Sequence, residues 1–248
     1  SQKENLESQV EKIYRPAQAW RWMMQSHQVP DQDEWVREEV LQAWSRCLED
    51  YFIRPSASVE VQGVPDRSEQ SGPLNDQRLI GRICERVLVT IKPLIAEGSV
   101  TLCLTDYRGR LLAVMGTPLL NRYCKEQKLF SRFTNWSEAV VGNNGLGSAA
   151  LLDRVVAFSG EEHFISDFHS LTTSGCPLHL TGLEEPLILG FVASSQVPFS
   201  FLAALTALAA QTVLQDFSET SKLESHLHQK NADSQGFSSN RIPIFLLL

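Results

Sequence analysis

The spacing of apolar residues in the first hundred positions predicts two amphipathic helices. The first is expected from Asp33 to Tyr51, where apolar residues recur at three- and four-residue steps opposite a charged face. Asp31 or Asp33 can cap its start, and Pro55 ends it because the residue before a proline avoids the helical conformation. The second is expected from Asn75 to Ala96. Its apolar side contains Leu79, Ile80, Ile83, Val87, Leu88 and Ile91.

Short runs of apolar and β-branched residues, separated by turn-forming residues, predict strands in the second half of the chain. They occupy residues 99–106, 109–116, 155–158, 174–180 and 186–194. The sequence Asp-Tyr-Arg-Gly at 106–109 suits a tight hairpin, whereas residues 121–133 are expected to form a short helix or a loop. An alanine- and leucine-rich helix, Phe199 to Ser221, follows the last strand. This order predicts an α+β fold with a central antiparallel sheet of about five to six strands and flanking helices.

The same pattern divides the chain into four parts. An N-terminal helical region covers residues 1–55, and a polar, proline-bearing linker covers residues 56–74. The sheet and its helices fill residues 75–217, and a polar helical stub with an apolar tail follows at 218–248. With 248 residues and 43% hydrophobic content, the chain can bury a substantial core.

Composition and charge argue against several classes of function. A formal net charge of −7 and a pI near 5.4, without clustered Lys or Arg, argue against direct contact with nucleic acid. No apolar run approaches the roughly 18 residues of a membrane-spanning helix, and the N-terminus is too polar for a signal peptide. A cytoplasmic location without membrane contact is therefore expected. The five widely spaced cysteines suit reduced thiols better than disulfides.

Candidate chemistry concentrates in a glycine- and asparagine-rich stretch, residues 142–147, which leads into an apolar helix start. One interpretation is structural, because a turn into a helix needs glycine for backbone reasons. The other is a pocket wall over the sheet, with Trp136, Asn143 and Asn144 facing a small polyol, ketone or carboxylate. A phosphate cradle is a weak interpretation, because the lysine of a P-loop is missing.

Acidic, basic and metal-binding residue types cluster farther along the chain, at Glu161, Glu162, His163, Asp167, His169, Cys176 and His179. Their histidine and cysteine spacing is not that of a compact zinc site, so no metal is expected. A carboxylate and imidazole pair could act in catalysis, but nothing indicates a nucleophile or a cofactor. We therefore expect a protein that is not an enzyme and that carries no cofactor. In the alternative interpretation, His163 orders its own turn by hydrogen bonding.

Five short motifs occur in an order found in one family of sensory domains. Val40 to Cys47 matches VxxSWxRC, Leu104 to Leu112 matches LTDxxGxIL, and Gly160 to Phe164 matches GxEHF. Trp136 to Ser148 is similar to WSExxxGTNAIGT, and Thr173 to Leu178 is similar to CSAxPI. Together they resemble the GAF domain at the N-terminus of sigma-54-dependent enhancer-binding activators, of the acetoin-catabolism and dihydroxyacetone-kinase-operon type. The resemblance extends from about residue 36 to about residue 217.

The resemblance implies a sensory GAF domain of a transcriptional regulator, which binds a small metabolite or a regulatory partner protein and controls an output domain. Its flanking helices are expected to form a homodimer. The ligand-binding residues that it implies are Trp136, Asn143, Asn144, Gly145, His163, Phe164 and Cys176. The alternatives are an interaction or dimerisation module, in which the pocket is filled by its own side chains, and a GAF-fold enzyme.

Some positions depart from the family pattern. Asn143 replaces the usual Thr and Gly145 replaces the usual Ala, which predicts a more flexible loop and a different ligand preference. Thr173 replaces the usual Cys while Cys176 appears three positions later, which argues against thiol-based sensing. No P-loop follows Phe217, so this chain is not expected to hydrolyse ATP by itself.

Overall fold

Five antiparallel strands form the central sheet of this computed structural model, which describes residues 15–30, 35–56, 76–94, 100–116, 130 and 134–236, with only the backbone at 221 and 223–236. The strands are β1 Val100–Asp106, β2 Leu111–Gly116, β3 Val156–Ser159, β4 Leu171–Leu178 and β5 Leu187–Ser194. Their order across the sheet is β2-β1-β5-β4-β3. Every neighbouring pair is antiparallel, so the predicted α+β fold is confirmed.

Six α-helices accompany the sheet within these ranges. They are α1 at residues 15–26, α2 Glu38–Ser45, α3 Gln77–Ile91, α4 Glu138–Val141, α5 Gly145–Leu152 and α6 Phe199–Gly236. α2 continues through a π-helical turn, Arg46–Asp50, after which the Tyr51 amide donates to the Arg46 carbonyl at 2.9 Å. In the part of the chain that the structure describes, none of the helices has the length and apolar character needed to span a membrane.

The start of α2 differs from the prediction. The helix begins at Glu38 rather than Asp33, and the preceding Arg37 is extended and provides no side-chain cap. Asp31 and Asp33, the predicted caps, lie outside the described residues. The start is late because Val36 is buried in the core while the Arg37 side chain reaches across to β3, which holds this segment in an extended form.

The predicted bounds of three other elements change by three residues or more. α3 spans Gln77–Ile91 rather than Asn75 to Ala96, because the Asp76 carboxylate accepts from the Arg78 amide at 2.8 Å and sets the start. α6 spans 38 residues and runs past Ser221. β4 begins at Leu171, three residues before the predicted start, because its first residues pair with the end of β5. Residues 57–74, 121–129, 131–133 and 237–248 of the predicted linker, loop and tail lie outside the described residues.

The sheet builds a different hydrophobic core on each face, because side chains alternate along each strand. One face, the arm side, packs with α1, α2, α4 and α5, and its sheet residues include Cys103, Phe158, Ile188 and Val192. The other face, the bundle side, packs with α3 and α6, and its sheet residues include Leu102, Leu104, Leu189 and Phe191. The N-terminal helices share the arm-side core through Ala19, Met23, Val40, Trp44 and Cys47. The division into an N-terminal region and a sheet domain stays a prediction.

The described cysteines are free thiols. Cys47, Cys84 and Cys103 are buried and Cys176 is partly buried. Burial raises the pKa of Cys47, and it raises the pKa of Cys84 to about 11. Cys47 and Cys84 therefore stay protonated and act as small apolar side chains, in agreement with the predicted reduced state. Cys124 lies outside the described residues.

Candidate functional site

The two asparagines of the glycine-rich turn bond to the chain's own backbone. Asn143 Nδ2 donates to the Glu162 backbone carbonyl at 2.9 Å, and the Phe164 backbone amide donates to Asn143 Oδ1 at 2.6 Å. Asn144 Nδ2 donates to the carbonyls of Trp136 and Gly142, both at 2.9 Å, and Asn144 Oδ1 accepts from the Gly147 amide at 2.9 Å. Both side chains are fully buried. In this structure their polar groups hold the turn against neighbouring segments.

The glycines of the turn permit contact between the backbones of α5 and β4. A Cβ atom on Gly145 would lie 2.3 Å from the Ser174 amide nitrogen, and one on Gly175 would lie 2.2 Å from the Gly145 carbonyl oxygen. A Cβ atom on Gly147 would lie 2.3 Å from the Trp136 carbonyl oxygen. The interpretation as a turn that needs glycine is confirmed, and the expectation of a flexible loop is wrong because the backbone is held on both sides. α5 therefore rests on β4 without a space for a ligand between them.

His163 is the centre of a closed hydrogen-bond relay. Its Nδ1 lies 2.9 Å from the Gly160 carbonyl, which can only accept, so Nδ1 carries the proton. Its Nε2 lies 2.9 Å from Thr173 Oγ1, which donates to the ring and accepts from the Gly145 amide at 2.7 Å. Complete burial lowers the pKa of His163 to about 3, so the ring is neutral near pH 7. The interpretation that His163 orders its own turn is confirmed.

The remaining candidate residues divide between the two faces of the sheet. Trp136 and Phe164 are buried on the arm side, where the Trp136 ring centroid lies 5.3 Å from that of Phe168. Cys176 is in β4, but its side chain packs with the bundle-side core. Six of the seven predicted ligand-binding residues thus lie together and Cys176 lies apart from them. Their role in ligand binding stays a prediction.

β1 presents polar atoms on the arm side at another position along the sheet. Thr101, Cys103 and Thr105 alternate with the bundle-side leucines and are all fully buried. Within the described ranges, the hydroxyls of Thr101 and Thr105 lack any hydrogen-bond partner. Thr101 Oγ1 lies 2.5 Å from where a Cβ atom on Gly116 would stand, so the glycine of β2 makes room for it. Sequence analysis missed this pair, whose signal is two hydroxyls at alternating positions on a face expected to be buried.

Comparisons with known sequences find two curated relatives, while no family model matches the chain. The chain is 30% identical over 155 residues to an uncharacterized 47.3 kDa protein in the thcA 5' region of Rhodococcus erythropolis, which covers 59% of this chain and 33% of that protein. It is 24% identical over 147 residues to the acetoin dehydrogenase operon transcriptional activator AcoR of Bacillus subtilis. That alignment covers 58% of this chain and 23% of AcoR. The chain thus spans a third or less of the length of these relatives.

A solved structure has a similar fold. In the E. coli DhaR(N)–DhaL complex, a chain matches with a TM-score of 0.64 at 17% identity, over 78% of this chain and 65% of that chain. The sheet, its flanking helices and the resemblance to activators such as AcoR agree with this match. The chain has a GAF-type fold. Its sequence is similar to part of a transcriptional activator, AcoR.

In this GAF-type fold, the motifs that carry the family resemblance bond to one another. Arg46 forms two hydrogen bonds with the Glu138 carboxylate, at 2.6 and 3.1 Å, and Ser148 Oγ donates to the same carboxylate. Trp44 Nε1 donates to the Glu162 carbonyl at 2.9 Å. The tryptophan and arginine of α2 are thus tied to the WSE and GxEHF motifs. Sequence analysis assigned no role to these pairs, because their partners are about 100 residues apart.

Two of the open clefts formed by the described residues lie outside the group of candidate residues. The larger has a volume of about 730 Å³ and is lined by His27, Gln28, Val29, Pro30, Leu41, Gln42, Ser45, Leu48 and Glu49. The smaller has a volume of about 350 Å³ and is lined by Tyr51, Tyr107, Ser137, Glu138, Ala139, Gly147, Ala150 and Leu151. Neither cleft is lined by any of the seven predicted ligand-binding residues.

The acidic and histidine residues after β3 are engaged in structural contacts in this GAF-type domain. Glu162 pairs with Arg37, and His169 Nε2 lies 3.1 Å from the His163 carbonyl. His179 is exposed and pairs with Asp153 at 2.7 Å. Over the described residues, no group of three or more His, Cys, Asp or Glu side chains is placed to hold a metal ion.

Proposed function

We propose that this chain is the signal-input domain of a transcriptional regulator and that it binds a small polar molecule against β1 on the arm side of the sheet. The similarity to AcoR and the fold shared with DhaR(N) support the regulatory role. The observation that carries the ligand site is the pair of buried hydroxyls without partners, Thr101 and Thr105. The proposed site therefore differs from the seven residues that the resemblance implies, although Thr105 belongs to the LTDxxGxIL motif.

Buried hydroxyls without partners are costly, which makes them informative. Most buried polar side chains form at least one hydrogen bond, and leaving one unmade costs about 1–3 kcal/mol. A ligand with its own donors and acceptors recovers this energy at each threonine hydroxyl that it reaches. Two residues in a strand separated by four positions lie roughly 13 Å apart, so the ligand either spans this distance or contacts one hydroxyl directly. Uncharged hydroxyls suit a neutral polyol or ketone better than a carboxylate, whose charge needs a cationic or multiple-donor partner when it is buried.

Six of the seven residues implied by the family resemblance, all except Cys176, have a supporting role in this proposal. Asn143, Asn144 and Gly145 fix the turn, while Trp136, His163 and Phe164 fill the arm side next to β4. A ligand at β1 would contact the edge of this group without opening its hydrogen bonds. The alternative interpretation, a domain filled by its own side chains, then applies to the β4 end of the face and not to the β1 end.

The test is native mass spectrometry of protein purified from its own host, followed by thermal-shift assays with neutral polyols and ketones. We expect a retained small molecule, or a ligand-dependent rise in the melting temperature, that Thr101→Val or Thr105→Val abolishes. Thr212→Val is the matched control, because this hydroxyl lies on α6 and bonds to its own helix. Equal ligand binding by the wild type and both β1 variants would place the site elsewhere.

A partner protein is the second candidate input. The specific observation is that the similar structure, DhaR(N) from E. coli, is in a complex with DhaL. Titration of this chain with a DhaL protein, followed by analytical ultracentrifugation, would detect a stoichiometric complex. Complex formation that is unaffected by Thr101→Val, together with no small-molecule binding, would favour the partner over the metabolite.

We further propose that α3 and α6 form a homodimer interface. Within one chain these helices already pack side by side, where Arg82 bonds to Asp216 at 2.8 Å and lies over the Phe217 ring. Exposed apolar residues remain on them, namely Val89, Phe201 and Leu208. Light scattering at high micromolar concentration should give twice the mass of the chain. Phe201→Glu should lower the measured mass to that of a single chain. A monomeric wild type would contradict this part of the proposal.

Binding without catalysis completes the proposal. His163 is neutral and bonds through both ring nitrogens, so it is poorly suited to move a proton. The Glu162 carboxylate bonds to the Arg37 guanidinium and to the Ser159 amide. Saturable turnover of any substrate that is lost in His163→Ala, with folding intact, would overturn this expectation.

A further inference from the structure

Arg37 lies where three segments of the molecule meet. It belongs to the N-terminal arm, defined here as α1, α2 and residues 27–30 and 35–37, and its side chain faces the sheet. Its guanidinium contacts Glu162 of the GxEHF segment, the Ala157 carbonyl of β3, and the ring of Phe199, the first residue of α6. The side chain is about one third exposed, at 32%. One residue of the arm therefore touches β3, the GxEHF segment and the long helix α6.

The contact with Glu162 has a fixed geometry. Arg37 Nε and Nη2 each lie 2.8 Å from a different carboxylate oxygen, which is the paired arrangement that a guanidinium forms with a carboxylate. Nη2 also donates to the Ala157 carbonyl at 2.9 Å. Glu162 in turn accepts from the Ser159 amide at 2.9 Å, so its carboxylate cannot follow a moving Arg37 without breaking its own turn.

The arm contacts the same segment through two indoles. Trp20 Nε1 of α1 donates to the Phe164 carbonyl at 2.8 Å, and the Trp20 ring lies edge-on to His169 at 4.7 Å. Trp44 Nε1 of α2 donates to the Glu162 carbonyl at 2.9 Å. Three polar contacts from the arm thus converge on residues 162–164, and a shift of α1 or α2 changes the position of that segment.

The contact with α6 is a cation over an aromatic ring. The Arg37 Cζ atom lies 4.2 Å from the centroid of Phe199, within the range of an attractive cation–π contact. Beyond Phe199, α6 is buried against β4, where Thr206 Oγ1 bonds to Ser174 Oγ and to the Leu202 carbonyl. The first residue of α6 is therefore the point where the helix meets the arm.

We infer that Arg37 couples the position of the N-terminal arm to the start of α6. A signal that moves the arm changes the Arg37 geometry, and this alters the contact that holds Phe199. The coupling works with either proposed input, because it uses only residues of this chain. The planar fork and the stacking surface of arginine are both required, so lysine is not an equivalent residue at this position.

The test is amide hydrogen exchange of the full chain, measured at residues 203–206 of α6, whose amides are the first with partners inside the helix. Trp20→Phe loosens the arm by removing one hydrogen bond while keeping a ring in place. We expect it to speed exchange at residues 203–206 by about fivefold, as local opening becomes easier. In Arg37→Lys and Phe199→Leu backgrounds, the same substitution should change exchange there less than about twofold.

Two controls separate coupling from general loosening. The Phe164 amide, which bonds to Asn143, should exchange faster after Trp20→Phe in every background, which reports that the arm has moved. If Trp20→Phe does not change the exchange rate of the Phe164 amide, Trp20→Ala is used instead to loosen the arm. Trp22→Phe, at an exposed position of the same helix, should affect neither site. Equal acceleration of residues 203–206 in all backgrounds, or none in the wild type while Phe164 responds, would overturn the inference.

Discussion

Two threonines on the arm side of the sheet have opposite hydrogen-bonding states. Thr173 of β4 accepts from the Gly145 amide and donates to His163, so both functions of its hydroxyl are used. Thr101 of β1 is equally buried and has no partner in the described residues. The difference separates two roles on one surface. At the β4 end, Thr173, His163 and Gly145 satisfy one another's hydrogen bonds, and this group is called here the β4 joint. At the β1 end, a polar ligand would gain hydrogen bonds.

The largest effect is expected from Gly145→Ala. Its methyl group would stand 2.3 Å from the Ser174 backbone, so α5 or β4 must shift. We expect a loss of about 3 kcal/mol in the free energy of unfolding, measured by urea denaturation. Gly81→Ala is the control, because nothing lies within 4 Å of that position in α3, and alanine there should stabilise by about 1 kcal/mol. A tolerated Gly145→Ala would mean that the joint is loosely packed.

Thr173→Val should have the next largest effect. The substitution keeps the shape but leaves the Gly145 amide and His163 Nε2 without their partner. Each buried orphan costs about 1–3 kcal/mol, so we expect a destabilisation of about 2 kcal/mol. Denaturation of Thr212→Val provides the baseline for the same substitution on an exposed helix surface. If both variants lose equally little, the relay does not contribute to stability.

The sequence predicted the fold better than the site, for a physical reason. Strand and helix patterns are local, so the hairpin at 106–109 and the apolar stripe of α3 were correct to within a few residues. The partners of a buried side chain are not local. Asn143 faces Glu162 and Phe164, and nothing in its own neighbourhood distinguishes a ligand-binding amide from one that holds the backbone.

Departures from the family pattern show the same limitation. Gly145 was expected to loosen the turn, yet the contact with Ser174 gives it a packing role that only the fold reveals. The helix start at Glu38 was missed because Arg37 is held extended by a contact with Glu162, which lies 125 residues away. The run of apolar and β-branched residues at 99–106 correctly predicted the strand β1. Whether its hydroxyls find partners depends on neighbouring strands that the pattern does not contain.

Acid should weaken the β4 joint through His163. Burial lowers its pKa to about 3 from an ordinary value of 6.5, so the unfolded chain binds a proton between these values that the folded chain excludes. The contribution of His163 to the free energy of unfolding is complete above pH 6.5, and it decreases as the pH falls from 6.5 towards 3. We expect a loss of about 2 kcal/mol between pH 7 and pH 5.

The measurement compares urea unfolding at pH 7 and pH 5 for the wild type and His163→Gln. The variant should lose less stability over this range, because it removes the group that titrates. Burial also lowers the pKa of His169, so a smaller loss in the same direction should remain. Identical pH dependence in His163→Gln and the wild type would show that the relay does not exclude the proton.

Among the substitutions on the arm side of the sheet, the smallest effect, and a favourable one, is expected from Thr101→Val in ligand-free protein. Replacing a buried hydroxyl that has no partner by a methyl group removes a desolvation cost, so we expect stabilisation by about 1 kcal/mol. The opposite sign to Thr173→Val sharpens the contrast between the two ends of the face, since the substitution and the burial are the same. Saturating ligand should then narrow or reverse the difference in stability between the wild type and Thr101→Val, because only the wild type gains the hydrogen bond to the ligand. Destabilisation of the ligand-free Thr101→Val protein would mean that the hydroxyl is already satisfied, and the site at β1 would lose its support.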